Sequence, residues 1–443
     1  MTRTVRLDRI VDDVTARVVL SRGQAGDLIR ARFALDGLPR VEEFLVGRAV
    51  AEVPTLVERL CGLCPVVHHL AGARALDALA GAAGTTPTAE TVRRLLLHGT
   101  VLEAHARRLV EVSQTPAHAL RLFARQVVVA AAGARHVPRC AVPGGVRSAV
   151  SADDRDALAG RAGTAIQRAA DLLAQVETRE GRASGPVFAG HDVALVDRTG
   201  ALDLYGAVLR ARAADDELSV EAASPAEWAG LVAESRPGAA ASRPFLRRLG
   251  PDRGGYRVGP VAQLRVATHL STPAAESARQ RWAVARGGAR WARAVVALHA
   301  AEVVHGLLGD PDLVAGTLVA PETGPPGGSG QPRSVTGWVE GPRGLLVHCY
   351  RVDAGGVLSD ATITTPTAQN ERWLAQLLTG AARERPTAIT SLGAPAPGLA
   401  EALEDAVREA DPCLPCSSRP TGMMGLRILV GDVPTDPAGS GEG

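Results

Sequence analysis

Apolar positions along this chain recur at two periods. From Thr15 to Leu35 apolar and polar residues alternate around a Gly-containing turn, which predicts a hairpin and the start of a small sheet. After Cys64 the period lengthens to that of a helix. Pro65 suits a first helical position, and Val66, Leu70, Ala73 and Leu76 then share one face. A second helix is expected from Pro87 to about Val112, with Val92, Leu95, Leu96, Leu102 and Leu109 on one side. Ser151 and Asp154 open a third, which carries Leu158, Ile166, Leu172, Leu173 and Val176. Thr272 and Pro273 open a fourth, long one through Trp282, Trp291, Val295, Leu298 and Val303 to near Gly309. The pattern predicts an α+β fold, predominantly α, with a central helical bundle over about residues 65–310 and small peripheral β-sheets.

Residues 186–260 are broken by Gly and Pro into short strand-like pieces, expected as excursions on the surface of the bundle. Residues 321–334 are a loop on composition. A second hairpin is predicted over Leu345–Ile363, followed by helices at Trp373–Glu384 and Gly398–Ala410. This organisation makes residues 1–419 one domain: an N-terminal sheet within 1–50, the bundle, and a C-terminal hairpin and helices over 335–419. Residues 420–443 form an extension that ends in a Gly/Pro/Ser segment. There is no internal repeat.

Composition narrows the function. With 443 residues, 46% hydrophobic and 22% charged, the chain can bury a large core. A formal charge of +2, without a basic run interleaved with aromatics, argues against a nucleic-acid partner. The N-terminus has no signal-peptide core, and no run of about 20 apolar residues occurs, so no membrane span and a cytoplasmic location are expected. Six cysteines, four of them in two C-x-x-C pairs, suit thiolate chemistry in a reducing compartment better than a disulfide framework.

The pairs are RLCGLCPVVH (Cys61, Cys64, His68) and DPCLPCSSR (Cys413, Cys416, Arg419). A two-residue gap lets two sulfurs converge on one ion, and two such loops brought together make a four-thiolate site. On spacing alone a structural zinc site or a four-cysteine iron-sulfur site fits equally. Cys140 and Cys349 are solitary and read as buried thiols.

Together these two motifs resemble the signatures of nickel-iron hydrogenase large subunits. Further stretches in the same order resemble the cytoplasmic bidirectional, NAD(P)-linked branch of that family: VEEFLVGR, VLEAHARRL, VPGGV, GGYRVGPVAQL, EGPRGLLVHCY and ITTPTAQN. The resemblance covers nearly the whole chain and implies reversible heterolytic cleavage of dihydrogen at a thiolate-bound nickel-iron centre. It makes Cys61 and Cys413 terminal nickel ligands and Cys64 and Cys416 bridging ones, with carbon monoxide and cyanide on the iron. Arg343, following Pro342 in EGPRG, matches the arginine beside the cluster. Thr367 matches a hydroxyl that hydrogen-bonds cyanide, and His68 a histidine near a bridging thiolate. Glu42 falls where the family has a carboxylate holding a magnesium-type ion. All paired cysteines being used, no iron-sulfur cluster fits in this chain, and a small subunit bearing such clusters is implied. Diaphorase subunits, nickel chaperones and a maturation endopeptidase are implied with it.

The sequence departs from the family pattern in places. The family's proton-relay glutamate is absent, and Asp13 occupies that place, one methylene shorter. Arg419 stands where most members have a metal-binding histidine, and an acidic residue is missing around Ala117. Residues 420–443 match a tail removed on maturation, although Pro420 is a poor residue to follow a scissile bond. Three alternatives follow: a dihydrogen sensor or inactive paralogue, a relative of the complex I quinone-site protein, which lacks these cysteines, and a zinc- or iron-sulfur-stapled scaffold.

Overall fold

A computed structural model describes residues 17–22, 28–34, 41–79, 85–133, 140–180, 187–237, 242–321, 332–385, 398–414, 417 and 424–432. Helix α1 (Pro65–Asp77) starts as its proline predicts. Helix α2 (Pro87–Arg108) is capped by Thr86, whose hydroxyl accepts from the Ala89 N–H at 3.1 Å. Next come α3 (Gln114–Ala132) and α4 (Ala152–Glu180). Ser151 and Asp154 lock the start of α4: the Asp154 N–H donates to the Ser151 hydroxyl at 3.1 Å, and that hydroxyl donates to the Asp154 carboxylate at 2.6 Å. Helices α5 (Pro273–Ala285) and α6 (Ala289–Leu308) follow. The bundle is α2, α3, α4 and α6, packed through fully buried Leu95, Leu96, Leu120, Leu172, Val295 and Val304.

Three differences from expectation have physical reasons. Helix α3 is absent from the sequence reading because much of its buried stripe is alanine (Ala117, Ala124, Ala131), which gives little hydrophobic contrast. The long fourth helix is two. Arg286 adopts φ 53°, and a side chain on Gly287 would lie 2.4 Å from Trp282 and 2.6 Å from Trp291, so the chain turns where two indoles close on a glycine. Residues 333 and 334, expected in a loop, already belong to a strand.

An N-terminal sheet pairs β1 (Arg17–Arg22) with β2 (Leu28–Phe33), and a C-terminal strand, Arg427–Asp432, adds to β1 in parallel. The 186–260 region contributes β3 (His191–Val196), β4 (Val208–Arg212), β5 (Leu218–Ala223) and β6 (Tyr256–Arg257), in the order β6-β3-β4-β5. It is a built sheet, not a surface excursion. Val193, Leu195, Leu209 and Tyr256 form a second core with Trp338, Leu345 and Val347. Those last three come from β7 (Arg333–Gly341) and β8 (Gly344–Val352), which form a sheet with β9 (Leu358–Thr364).

Helix α1 lies on this last sheet more than in the bundle. A Cβ at Gly337 would lie 2.3 Å from the Ala75 nitrogen and 2.4 Å from the Ala71 oxygen, so glycine alone permits this approach of backbone to backbone. The β7–β8 hairpin thereby carries its tip, Pro342–Arg343, toward the N-terminal end of α1. Helices α7 (Glu371–Arg383) and α8 (Leu399–Ala410) pack together beside β2 and lead into the second cysteine pair.

Candidate metal centre

Cys64 is the residue before α1; its carbonyl accepts from the N–H groups of Val67 at 3.1 Å and His68 at 3.3 Å, so the pair sits on a rigid helix start. At the other end of the chain α8 stops at Asp411, in the left-handed region at φ 46°. Two residues on, the Cys413 N–H donates to the Thr367 hydroxyl at 2.7 Å, which ties the second motif to the turn after β9.

Three sulfurs from segments 349 positions apart then meet. Cys64 lies 3.2 Å from Cys61 and 3.6 Å from Cys413, and Cys61 lies 3.5 Å from Cys413. These separations are too long for disulfides. Thiolates sharing one metal at about 2.3 Å stand about 3.3 Å apart at a right angle and about 3.8 Å at a tetrahedral one, so the spacing fits a metal-thiolate cluster. Without metal, the Cys413 and Cys64 thiols donate toward Cys61 and, with His68, hold its thiol well below the ordinary range. The contacts with Cys413 and Cys61, together with burial, push Cys64 up; the contact with Cys61 and burial push Cys413 up to about 12. A bound metal would replace these protons.

Arg343 is buried at the hairpin tip, near enough to the sulfurs to feel their charge. Burial opposes its charge, but Asp411 and the thiolates of Cys413, Cys64 and Cys61 more than offset that and hold the guanidinium protonated. Its Nε lies 3.4 Å from Asp411 Oδ1. Arg108 also pairs with Asp411 and donates to the Ser417 carbonyl. Burial would raise the Asp411 carboxyl, yet Arg343, Arg108 and Arg293 hold it well below the usual carboxylate range. Gly259 lets the tip seat: a Cβ there would lie 2.9 Å from the Arg343 oxygen.

Cys61, Cys64, Cys413, His68, Pro342, Arg343 and Thr367 of the expected set therefore converge. Cys416, Arg419 and Asp13 lie outside the described residues. Glu42 is half-buried in a short turn, where it accepts from the Ile363 N–H at 3.4 Å. Sequence reasoning missed Asp411, Arg108 and Arg293, and the pair His348 and Tyr350 behind His68. The available signals were the carboxylate two places before Cys413 and the polar His348 in an otherwise apolar strand. Cys140 is a lone buried thiol, pushed up to about 12 by burial, and Cys349 is a lone half-buried one, raised to about 11 by the same cause.

The profile of the nickel-dependent hydrogenases matches residues 40–109, the stretch that holds the first cysteine pair. The chain is 30% identical to the NAD-reducing hydrogenase HoxS subunit beta of Cupriavidus necator, over 96% of this chain and 97% of that one. It is 29% identical to a subunit of the F420-non-reducing hydrogenase vhu of Methanococcus voltae, over 80% and 92%. Its fold superposes on a crystal structure of an NAD+-reducing [NiFe]-hydrogenase in the H2-reduced state with a TM-score of 0.80, at 32% identity, over 90% of this chain and 95% of that one. The reduced Ni-Fe-Se hydrogenase of D. vulgaris Hildenborough, at 17% identity and a TM-score of 0.63 over 90% and 98%, shares the fold. The chain belongs to the nickel-dependent hydrogenases. It is a catalytic subunit of that family, an oxidoreductase acting on hydrogen, and works within a multi-subunit enzyme. Among the described residues no helix is long and apolar enough to cross a membrane.

Proposed function

We propose that this chain cleaves dihydrogen reversibly at a nickel-iron centre held by Cys61, Cys64, Cys413 and Cys416. The observation that carries the reading is the meeting of three sulfurs from both ends of the chain at 3.2 to 3.6 Å near a buried arginine. When bound, the centre supplies soft Lewis acidity for heterolysis, with carbon monoxide and cyanide completing the iron. Cys61, Cys64, Cys413 and Cys416 would hold the centre through their thiolates. Arg343 places a fixed positive charge near the site. Thr367 positions Cys413 through its lone pair and keeps its own proton to donate to cyanide. Protons leave by way of Asp13, and Glu42 contributes to a magnesium-type ion.

Electrons pass to a small subunit with iron-sulfur clusters and from there, through diaphorase subunits, to NAD(P), in the cytoplasm. The NAD-reducing relative, matched over nearly its whole length, supports this branch. Nickel chaperones load the site, and an endopeptidase then removes residues 420–443. Infrared spectra of the native protein should contain metal-bound carbonyl and cyanide bands, and the purified complex should reduce NAD(P) with hydrogen. A zinc-only site with no such bands would overturn the reading. A sensor would keep the bands without turnover. Intact mass of the mature chain tests the cleavage.

A further inference from the structure

A buried polar chain leads away from the sulfurs through His68. His68 Nδ1 lies 3.1 Å from His348 Nε2, and His348 Nδ1 lies 2.5 Å from the Tyr350 hydroxyl. All three side chains are buried, with His348 at 0% and Tyr350 at 2% exposure, so no bulk water competes for these bonds. The rings of His348 and Tyr350 meet edge to face at 81° with centroids 5.7 Å apart. Helix α1 packs directly on this chain, since a Cβ at Gly72 would touch the Tyr350 hydroxyl at 3.4 Å. At the near end, a ring nitrogen of His68 falls within 4.8 Å of the sulfurs of Cys61 and Cys64, and His68 helps hold the Cys61 thiol below its ordinary range.

We propose that Tyr350 and His348 are positioning residues that fix the tautomer of His68, so that it presents an N–H, never a lone pair, to the cysteine sulfurs. The inference rests on the metal-centre reading for its consequence, while its geometry stands alone. The logic is one of donors and acceptors. Among the described residues the Tyr350 hydroxyl has no hydrogen-bond partner but His348, so its proton is spent on His348 Nδ1. A neutral imidazole carries one proton, and burial holds His348 neutral. That proton is therefore on Nε2 and is donated to His68 Nδ1. With Nδ1 accepting, the proton of His68 sits on Nε2, the nitrogen left to face the sulfurs. Each link reads in one direction, from phenol to thiolate, and the whole chain is satisfied without a formal charge. An N–H donated to a thiolate draws electron density from the sulfur; a ring free to flip tautomer would turn a lone pair toward it.

Three variants test this. Tyr350→Phe keeps the ring and removes only the donor. His348→Leu cuts the chain. His348→Gln keeps an N–H toward His68 and an oxygen toward Tyr350, and so should rescue it. In the nickel-loaded complex, Tyr350→Phe and His348→Leu should move the carbonyl and cyanide bands to lower wavenumber, as a more electron-rich sulfur strengthens back-donation from iron, while His348→Gln stays near wild type. In the metal-free full chain, ring-nitrogen NMR shifts of labelled His68 should report the Nε2-protonated tautomer, mixed with the other form in Tyr350→Phe. Bands unmoved in both disrupting variants, or an Nδ1-protonated His68 in the wild type, would overturn the proposal. Absence of the bands in the wild type would instead remove the metal centre and leave the NMR result to judge the tautomer.

Discussion

Glu340 lies in β7, three residues before Arg343, and is fully buried. Burial pushes its carboxyl from 4.5 up to about 7, although the Gln263 side chain donates to Oε2 at 2.7 Å and the Leu195 N–H to Oε1 at 3.1 Å. Below pH 4.5 the proton is bound in folded and unfolded chains alike, and its stabilisation is complete. As pH rises from 4.5 to 7 the unfolded carboxyl ionises while the folded one holds its proton, so stability falls, and above 7 the loss levels off. Over that window the protein should lose about 3 kcal/mol through this one group. Glu340→Gln abolishes the titration. Its new amide has a ready acceptor, because among the described residues the Gln263 oxygen has no hydrogen-bond partner and a flip of that amide turns it toward residue 340. Denaturant or thermal unfolding of both proteins at pH 5, 6, 7 and 8 should show the variant gaining on the wild type with rising pH. A protonated-carboxyl infrared band should vanish in the variant. A stability difference that stays flat across this range would refute the assignment.

Other perturbations follow from the same packing. Asp411→Asn leaves Arg343, Arg108 and Arg293 facing one another, and should cost about 3–5 kcal/mol at pH 7. The cost should shrink as pH falls, because the depressed carboxylate gives its stability only above the ordinary carboxylate range; the melting temperature across pH checks both. Gly337→Ala drives a methyl into the backbone of α1 and should cost about 1–3 kcal/mol or more. Since α1 carries the first cysteine pair, elemental analysis should find nickel lowered too. Cys413→Ser should leave the bundle folded by circular dichroism while abolishing nickel retention. Thr367→Val, which removes the acceptor of the Cys413 N–H, should retain nickel but accelerate its loss to a chelator.

Much of this could be read from the sequence where apolar contrast is strong. The leucine stripe of α2 and the Ser151–Asp154 cap of α4 lie where the pattern places them. The alanine stripe of α3 carried too little contrast, and the break at Arg286–Gly287 depends on two tryptophans closing on one glycine, which no local period encodes. The site divides in the same way. Cysteine spacing and flanking motifs mark Cys61, Cys64 and Cys413, and the EGPRG and PTAQN stretches mark Arg343 and Thr367. Asp411, Arg108 and Arg293 acquire meaning only when three distant segments bring their charges together. His348 and Tyr350 alternate within one strand, and their common face toward His68 follows from how β8 lies against α1.

The edge of the N-terminal sheet pairs Arg17–Arg22 with Arg427–Asp432, the first strand of the fold with the last. At about 5–20 residues per second, a ribosome needs roughly 20 to 70 s to travel from Cys64 to Cys413, 349 positions later. Throughout that interval the first thiols wait without the second pair, and the sheet waits without its outer strand. Loading of metal is thereby tied to completion of synthesis, and a truncated translation product would have no place to hold nickel.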